Sequence, residues 1–155
     1  MKIDKYISEE TIDQVIVSLE GEDAVENALL DIESNAPGVL AFLFGSDSEL
    51  LSDVEKELLT FVSAALWKSA GESDTIDLDA DEISVLEEKN WEKFENGGTF
   101  RDRLDVFYQS FPQEDLLSMV EDLLTEDGEA ENQISREGRD HIFIKAKTFL
   151  DILIS

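Results

Sequence analysis

The chain has 155 residues, and 38 Asp and Glu against 12 Lys and Arg give it a formal net charge of −26. With no cysteine it can form no disulfide, Cys-based zinc site, Cys nucleophile or iron–sulfur cluster, and its single histidine excludes a multi-His metal centre. Its hydrophobic fraction of 42%, with nine Phe and two Trp, is enough for a sizeable core, which excludes wholesale disorder.

Residues Met1 to Glu10 contain no apolar run that could serve as a signal peptide. The first helical stripe is Ile12, Val15, Ile16 and Leu19, with Ser8 or Thr11 as its N-cap, and Gly21 breaks it. Val25, Ala28, Leu29 and Ile32 form the second stripe, ended by Asn35-Ala36-Pro37. Pro37-Gly38 opens a short third helix, Val39 to Phe44, which is apolar on all sides and so belongs in the middle of a fold. That stretch is the longest unbroken apolar run and is far too short to span a bilayer. The expected setting is soluble and cytoplasmic.

Ser46-Asp47-Ser48-Glu49 reads as a capping box for the longest helix, placed from Asp47 to about Ser69. Its stripe is Leu50, Leu51, Val54, Leu58, Phe61, Val62 and Ala65, with Leu59, Leu66 and Trp67 outside it. A helix apolar on more than one side is expected to sit centrally. Gly71 to Leu78 reads as an acidic loop, and Thr75-Ile76-Asp77-Leu78 is the best strand candidate in the chain. A helix from Asp81 to about Asn96 carries Ile83, Leu86 and Phe94, with Trp91 at its edge, and Asn96-Gly97-Gly98 stops it. Thr99 caps the next, striped by Phe100, Leu104, Phe107, Tyr108 and Phe111. Pro112 to Thr125 follows with Leu116, Leu117, Val120, Leu123 and Leu124, then a loop from Asp127 to Gln133. Ser135 caps the last helix, whose face of Ile142, Ala146, Phe149, Leu150 and Leu153 is widened by Phe143, Ile144, Ile152 and Ile154. No segment alternates with period two over more than a few residues. The sequence therefore predicts an all-α, single-domain bundle of seven to eight crossed helices over residues 1–155, with residues 71–78 as the one weak internal boundary.

Asp77, Asp79, Asp81 and Glu88 reproduce positions one, three, five and twelve of an EF-hand calcium loop. Position six requires Gly for its sharp turn and is Glu82, so an N-terminal helix cap is the preferred reading, and no metal or other cofactor is expected. His141 stands without a nucleophile elbow, phosphate loop or kinase signature, and a structural role is expected for it. Paired carboxylates are unavoidable at this acid content and carry no information on catalysis. A di-metal centre of the Glu-x-x-His type would need a second histidine.

The surplus of acid opposes binding to nucleic acid or to anionic membranes and favours a basic partner. Acid is concentrated in residues 1–35, 72–95 and 121–140. Rows of carboxylates about 5–6 Å apart on a rigid helix can stand in for a phosphate backbone. The rows expected to meet a partner are Glu87, Glu88, Glu92 and Glu95, and Glu114, Asp115, Glu121 and Asp122. Trp67 lies about opposite the main stripe of its helix, so it is either buried on a second face or an exposed interface anchor. The function expected from sequence is a non-enzymatic acidic interaction protein that binds a basic protein, of immunity, inhibitor or nucleic-acid-mimic type. The alternatives are a small-molecule-binding or hydrolytic domain with a carboxylate-rich pocket, and a homodimeric module with an apolar interface.

Overall fold

The computed structural model describes residues 5–70, 76–94, 98–125 and 134–154, all with their side chains except Ser46 and Asp47. Among the described residues there are eight α-helices and no strand. They are α1 (Glu9–Ser18), α2 (Ala24–Asn35), α3 (Pro37–Leu43), α4 (Asp53–Ser69), α5 (Ala80–Phe94), α6 (Phe100–Tyr108), α7 (Glu114–Thr125) and α8 (Arg136–Ile154). A 3-10 turn, Ser46–Leu50, precedes α4. All eight helices contribute to one hydrophobic cluster. No helix among the described residues is long and apolar enough to cross a membrane.

Local chemistry sets the helix starts. The Ser8 hydroxyl accepts the Thr11 N–H at 3.3 Å, and Ser135 accepts the Gly138 N–H at 2.9 Å. Thr99 and Asp102 form a reciprocal capping box on α6, as Asp79 and Glu82 do on α5. The long helix begins later than the sequence suggests. Its capping box is Ser52 with Glu55, not Ser46 with Glu49, and the preceding residues take the tighter 3-10 turn. An extended Leu51 between the two is buried, whereas Leu50 is 86% exposed and lies outside the helix. The face of α4 that is best covered runs through Leu59, Val62 and Leu66, while Val54 reaches solvent. Residues 71–75, 95–97 and 126–133, which include Thr75 and the Asn96-Gly97 stop, lie outside the described residues. Ile76 to Leu78 form no strand, and the Ile76 N–H donates to the Asn35 carbonyl at 2.8 Å.

Helix α8 is the axis. It packs on α4, α5 and α7, and α4 in turn packs on α1, α2 and α7. Phe143 of α8 gathers Phe94, Phe100 and Phe107 at centroid distances of 5.9, 5.9 and 5.3 Å, joining α5 and α6 to it. Phe149 stacks on Trp67 at 6.4 Å. Trp67 is fully buried, and its indole N–H donates to Asp31 Oδ2 at 2.7 Å, pinning α4 to α2. It is therefore a core residue and not an interface anchor.

Two long cations of α8 are buried with their partners. Lys145 donates to the Phe42 carbonyl at 3.0 Å and lies 3.4 Å from Glu87. Lys147 meets Asp151 at 2.7 Å and Asn90 at 3.3 Å, and Asn90 also donates to Thr148 at 3.0 Å. These contacts orient α3 and α5 on α8 where apolar packing alone would let them slide.

One acid links the two central helices. Glu55, 4% exposed, accepts the Ser52 N–H on Oε1 at 2.9 Å. Its Oε2 accepts the Ser135 N–H and hydroxyl at 2.7 and 2.9 Å. The carboxylate thus caps α4 and α8 together, at the positive ends of both macrodipoles. It lies against Gly138, where any Cβ would collide with it. Burial pushes the Glu55 carboxyl up, but the hydrogen bonds from Ser52 and Ser135 outweigh burial and hold it below its ordinary range.

Alanine for glycine inside a helix ordinarily gains up to about 1 kcal/mol. Gly138→Ala is expected instead to lose about 2 kcal/mol or more, seen as a lower urea midpoint, because a Cβ there displaces the Glu55 carboxylate from its bonds to Ser52 and Ser135. A raised midpoint would show that the carboxylate is not seated there. Because the folded-state pKa of Glu55 is depressed, its ionisation stabilises fully above the unfolded-state value and is lost as pH falls through the folded one. The stability difference between the protein and Glu55→Gln should therefore be constant near neutrality and shrink below pH about 4.5 in urea titrations.

Candidate functional site

The two acidic rows do not survive as rows. On α5, Glu87 turns toward Lys145 and is half-buried, leaving Glu88 and Glu92 exposed one turn apart. Glu95 lies outside the described residues. On α7, Glu114 is exposed, but Glu121 is only 7% exposed. Glu121 Oε1 accepts the Tyr108 hydroxyl at 2.7 Å, and Oε2 accepts from Arg101 Nη1 at 3.1 Å. Burial, and then the Glu121 carboxylate, push the Tyr108 phenol far up and keep it protonated as the donor. Glu121 thus serves as a structural acceptor for Tyr108 and Arg101.

Asp115 is half-buried and serves the N-terminus of α1. Its Oδ2 accepts the Glu9 N–H at 3.1 Å, while its own N–H donates to the Tyr6 hydroxyl at 3.1 Å. Buried Gln113 accepts the Ile7 N–H at 3.0 Å and donates to the Lys5 carbonyl at 2.9 Å. Residues 5–9 are thereby strapped across the start of α7, and α1 is held alongside it.

The consequence is a concave groove of about 480 Å³ between α1 and α7. Its apolar floor is Ile12 and Ile16 of α1 with Met119 and Leu123 of α7. Among the described residues five carboxylates rim it, Glu9 and Asp13 from one helix and Asp115, Glu121 and Asp122 from the other, against the single cation Arg101. Periodicity identified both helices, and three of the four acids proposed on α7 line this groove. Sequence alone did not bring Glu9 and Asp13 to the opposite rim, because nothing local signals that α1 docks on α7 through Gln113 and Asp115.

The surface around α1 is uniformly acidic. Between Lys5 and Lys56 the chain contains no Lys or Arg, so α1, α2 and α3 carry no cation. Exposed Glu10, Glu20, Glu22, Asp23, Glu26 and Glu33 continue the field beyond the groove. Attraction of a cation toward this half of the molecule is therefore opposed by no charge on α1, α2 or α3.

The remaining candidates resolve simply. Asp79 accepts the Glu82 N–H at 2.8 Å, so the carboxylate at the third calcium-loop position acts as a helix cap. Among the described residues no three or more His, Asp or Glu side chains are grouped to hold a metal ion. His141 is half-buried on α8 and does not line the groove.

If Asp115 sets the α1 register, Asp115→Ala should cost about 1 kcal/mol in urea denaturation, whereas Asp115→Asn, which keeps an acceptor oxygen, should lose less. Comparison with known protein families, curated proteins and solved structures finds no match to the chain.

Proposed function

We propose that the protein is a non-enzymatic binding protein whose α1–α7 groove receives a basic amphipathic segment of a partner protein. The observation that carries this reading is the pairing of an apolar floor with acidic rims on both sides. A helix with one apolar stripe flanked by Lys or Arg is complementary to that cross-section. Its stripe would cover Ile12, Ile16, Met119 and Leu123 while its cations meet Asp13 and Asp122. Apolar contact provides most of the affinity, and the acidic half of the molecule provides orientation and encounter rate. A partner of this kind fits the immunity or inhibitor class better than a nucleic-acid mimic, because the carboxylates form two rims rather than one evenly spaced row.

The test uses a fluorescent amphipathic peptide of Leu and Lys in helical register. Asp13→Lys/Asp122→Lys should weaken its binding by about tenfold or more in anisotropy titrations at about 0.15 M salt. Glu22→Lys/Glu26→Lys, the same change of charge placed around the start of α2, should weaken it by less than about threefold. Equal losses in the two variants would mean that diffuse charge and not the groove holds the peptide, and would defeat the proposal.

A further inference from the structure

The chain has four arginines, Arg101, Arg103, Arg136 and Arg139, and all four line one cavity of about 700 Å³ on the other side of the Arg101–Glu121 pair. We propose that this cavity binds a phosphate group, carried by free phosphate or by a small phosphorylated molecule.

The convergence is not expected from composition. In a chain of net charge −26, among the described residues four cationic side chains face three anionic ones here, Asp102, Glu121 and Asp140. The three acids are poor competitors for the guanidiniums. Asp102 Oδ2 accepts the Thr99 N–H at 3.1 Å in the α6 capping box, and Glu121 already accepts the Tyr108 hydroxyl. Asp140 Oδ2 stands 3.9 Å from Arg103 Nη1, an ion pair too long to be a hydrogen bond. Burial also pushes the Asp140 carboxyl up, although Arg139, Arg103 and Arg136 pull it down.

A guanidinium carries five N–H donors. Among the described residues the four guanidiniums make one hydrogen bond, from Arg101 to Glu121. The Nε atoms of Arg103 and Arg139 are buried without a partner among the described residues. A buried N–H without an acceptor is costly, so these two Nε donors favour an oxygen ligand.

The side chains are held for that task. Arg139 lies over the Phe100 ring at 4.1 Å and Arg103 over the Phe94 ring at 5.1 Å, which fixes two of the planar groups before any ligand arrives. Thr99, Phe100 and Arg101 are the cap and first turn of α6, and Arg136 and Arg139 begin α8, so the starts of two helices bring the arginines to one cavity.

Phosphate is the anion that uses this set. One bidentate guanidinium satisfies a planar carboxylate, whereas a tetrahedral dianion accepts forks from several arginines at once. The volume exceeds what a bare phosphate needs and falls in the range of small-molecule sites, and Phe100 offers an apolar wall to the rest of a phosphorylated molecule. The inference is independent of the partner proposed for the groove: Asp13→Lys tests that reading and leaves the arginines intact.

Isothermal titration at about 0.15 M NaCl, where the surrounding acid is screened beyond about 8 Å, tests the site with inorganic phosphate, ribose 5-phosphate and acetate. Saturable one-to-one binding of at least one phosphate compound is expected, with acetate at least about tenfold weaker. Arg136 is exposed, so Arg136→Gln should fold normally and weaken phosphate binding by about tenfold. Lys68→Gln removes an exposed cation from the end of α4, outside the cavity, and should change it by less than about twofold. Tighter binding of ribose 5-phosphate than of phosphate identifies a phosphorylated small molecule as the ligand, and equal binding identifies free phosphate. No saturable binding of either compound, acetate binding as tight as phosphate, or equal losses in Arg136→Gln and Lys68→Gln would overturn the proposal.

Discussion

A single buried carboxylate sets the relation between the two helices on which the others rest. Glu55 caps the starts of α4 and α8 at once, and three hydrogen-bond donors share its two oxygens at the positive ends of both helix dipoles. An uncompensated carboxylate at that depth would be strongly unfavourable, so the register of α8 on α4 is fixed within the reach of those bonds. Gly138 is the complementary requirement. It is the one position in the first turns of α8 where the absence of a side chain is set by another residue's oxygen atoms. The aromatic stack on Phe143 and the Trp67–Phe149 contact then fall into place along the same axis.

The charge of the molecule is divided as unevenly as its packing. Helices α1 to α3 hold only acids, and the arginines gather where α6 and α8 begin. Arg101 and Glu121 stand between the groove and the cavity, each lining both. Their ion pair forms a shared wall between the two concavities.

The bundle and most of its helices were legible from hydrophobic spacing and capping residues. Ser8, Thr99 and Ser135 act as the caps that their sequence contexts suggest. The start of α4 was misplaced because Ser46-x-x-Glu49 and Ser52-x-x-Glu55 satisfy the same local rule. The choice between them is made by Ser135, 80 residues away, which needs the Glu55 carboxylate. Glu87 and Glu121 looked like free surface acids for a related reason: their partners, Lys145, Tyr108 and Arg101, are remote in sequence. The cavity has one signal in the sequence. The four arginines fall in two short pairs, 101 with 103 and 136 with 139, each at the start of a helix in an otherwise acidic chain.

The position of α8 in the chain has a consequence for biosynthesis. Of the eight helices it leaves the ribosome last, yet α4, α5 and α7 all pack on it. Until it emerges, the nascent polypeptide displays the greasy sides of those helices with nothing to cover them, the condition under which unfinished chains associate. Mutual repulsion among dozens of negative groups keeps such chains apart during that interval. The excess of acid thus protects the protein before it is folded.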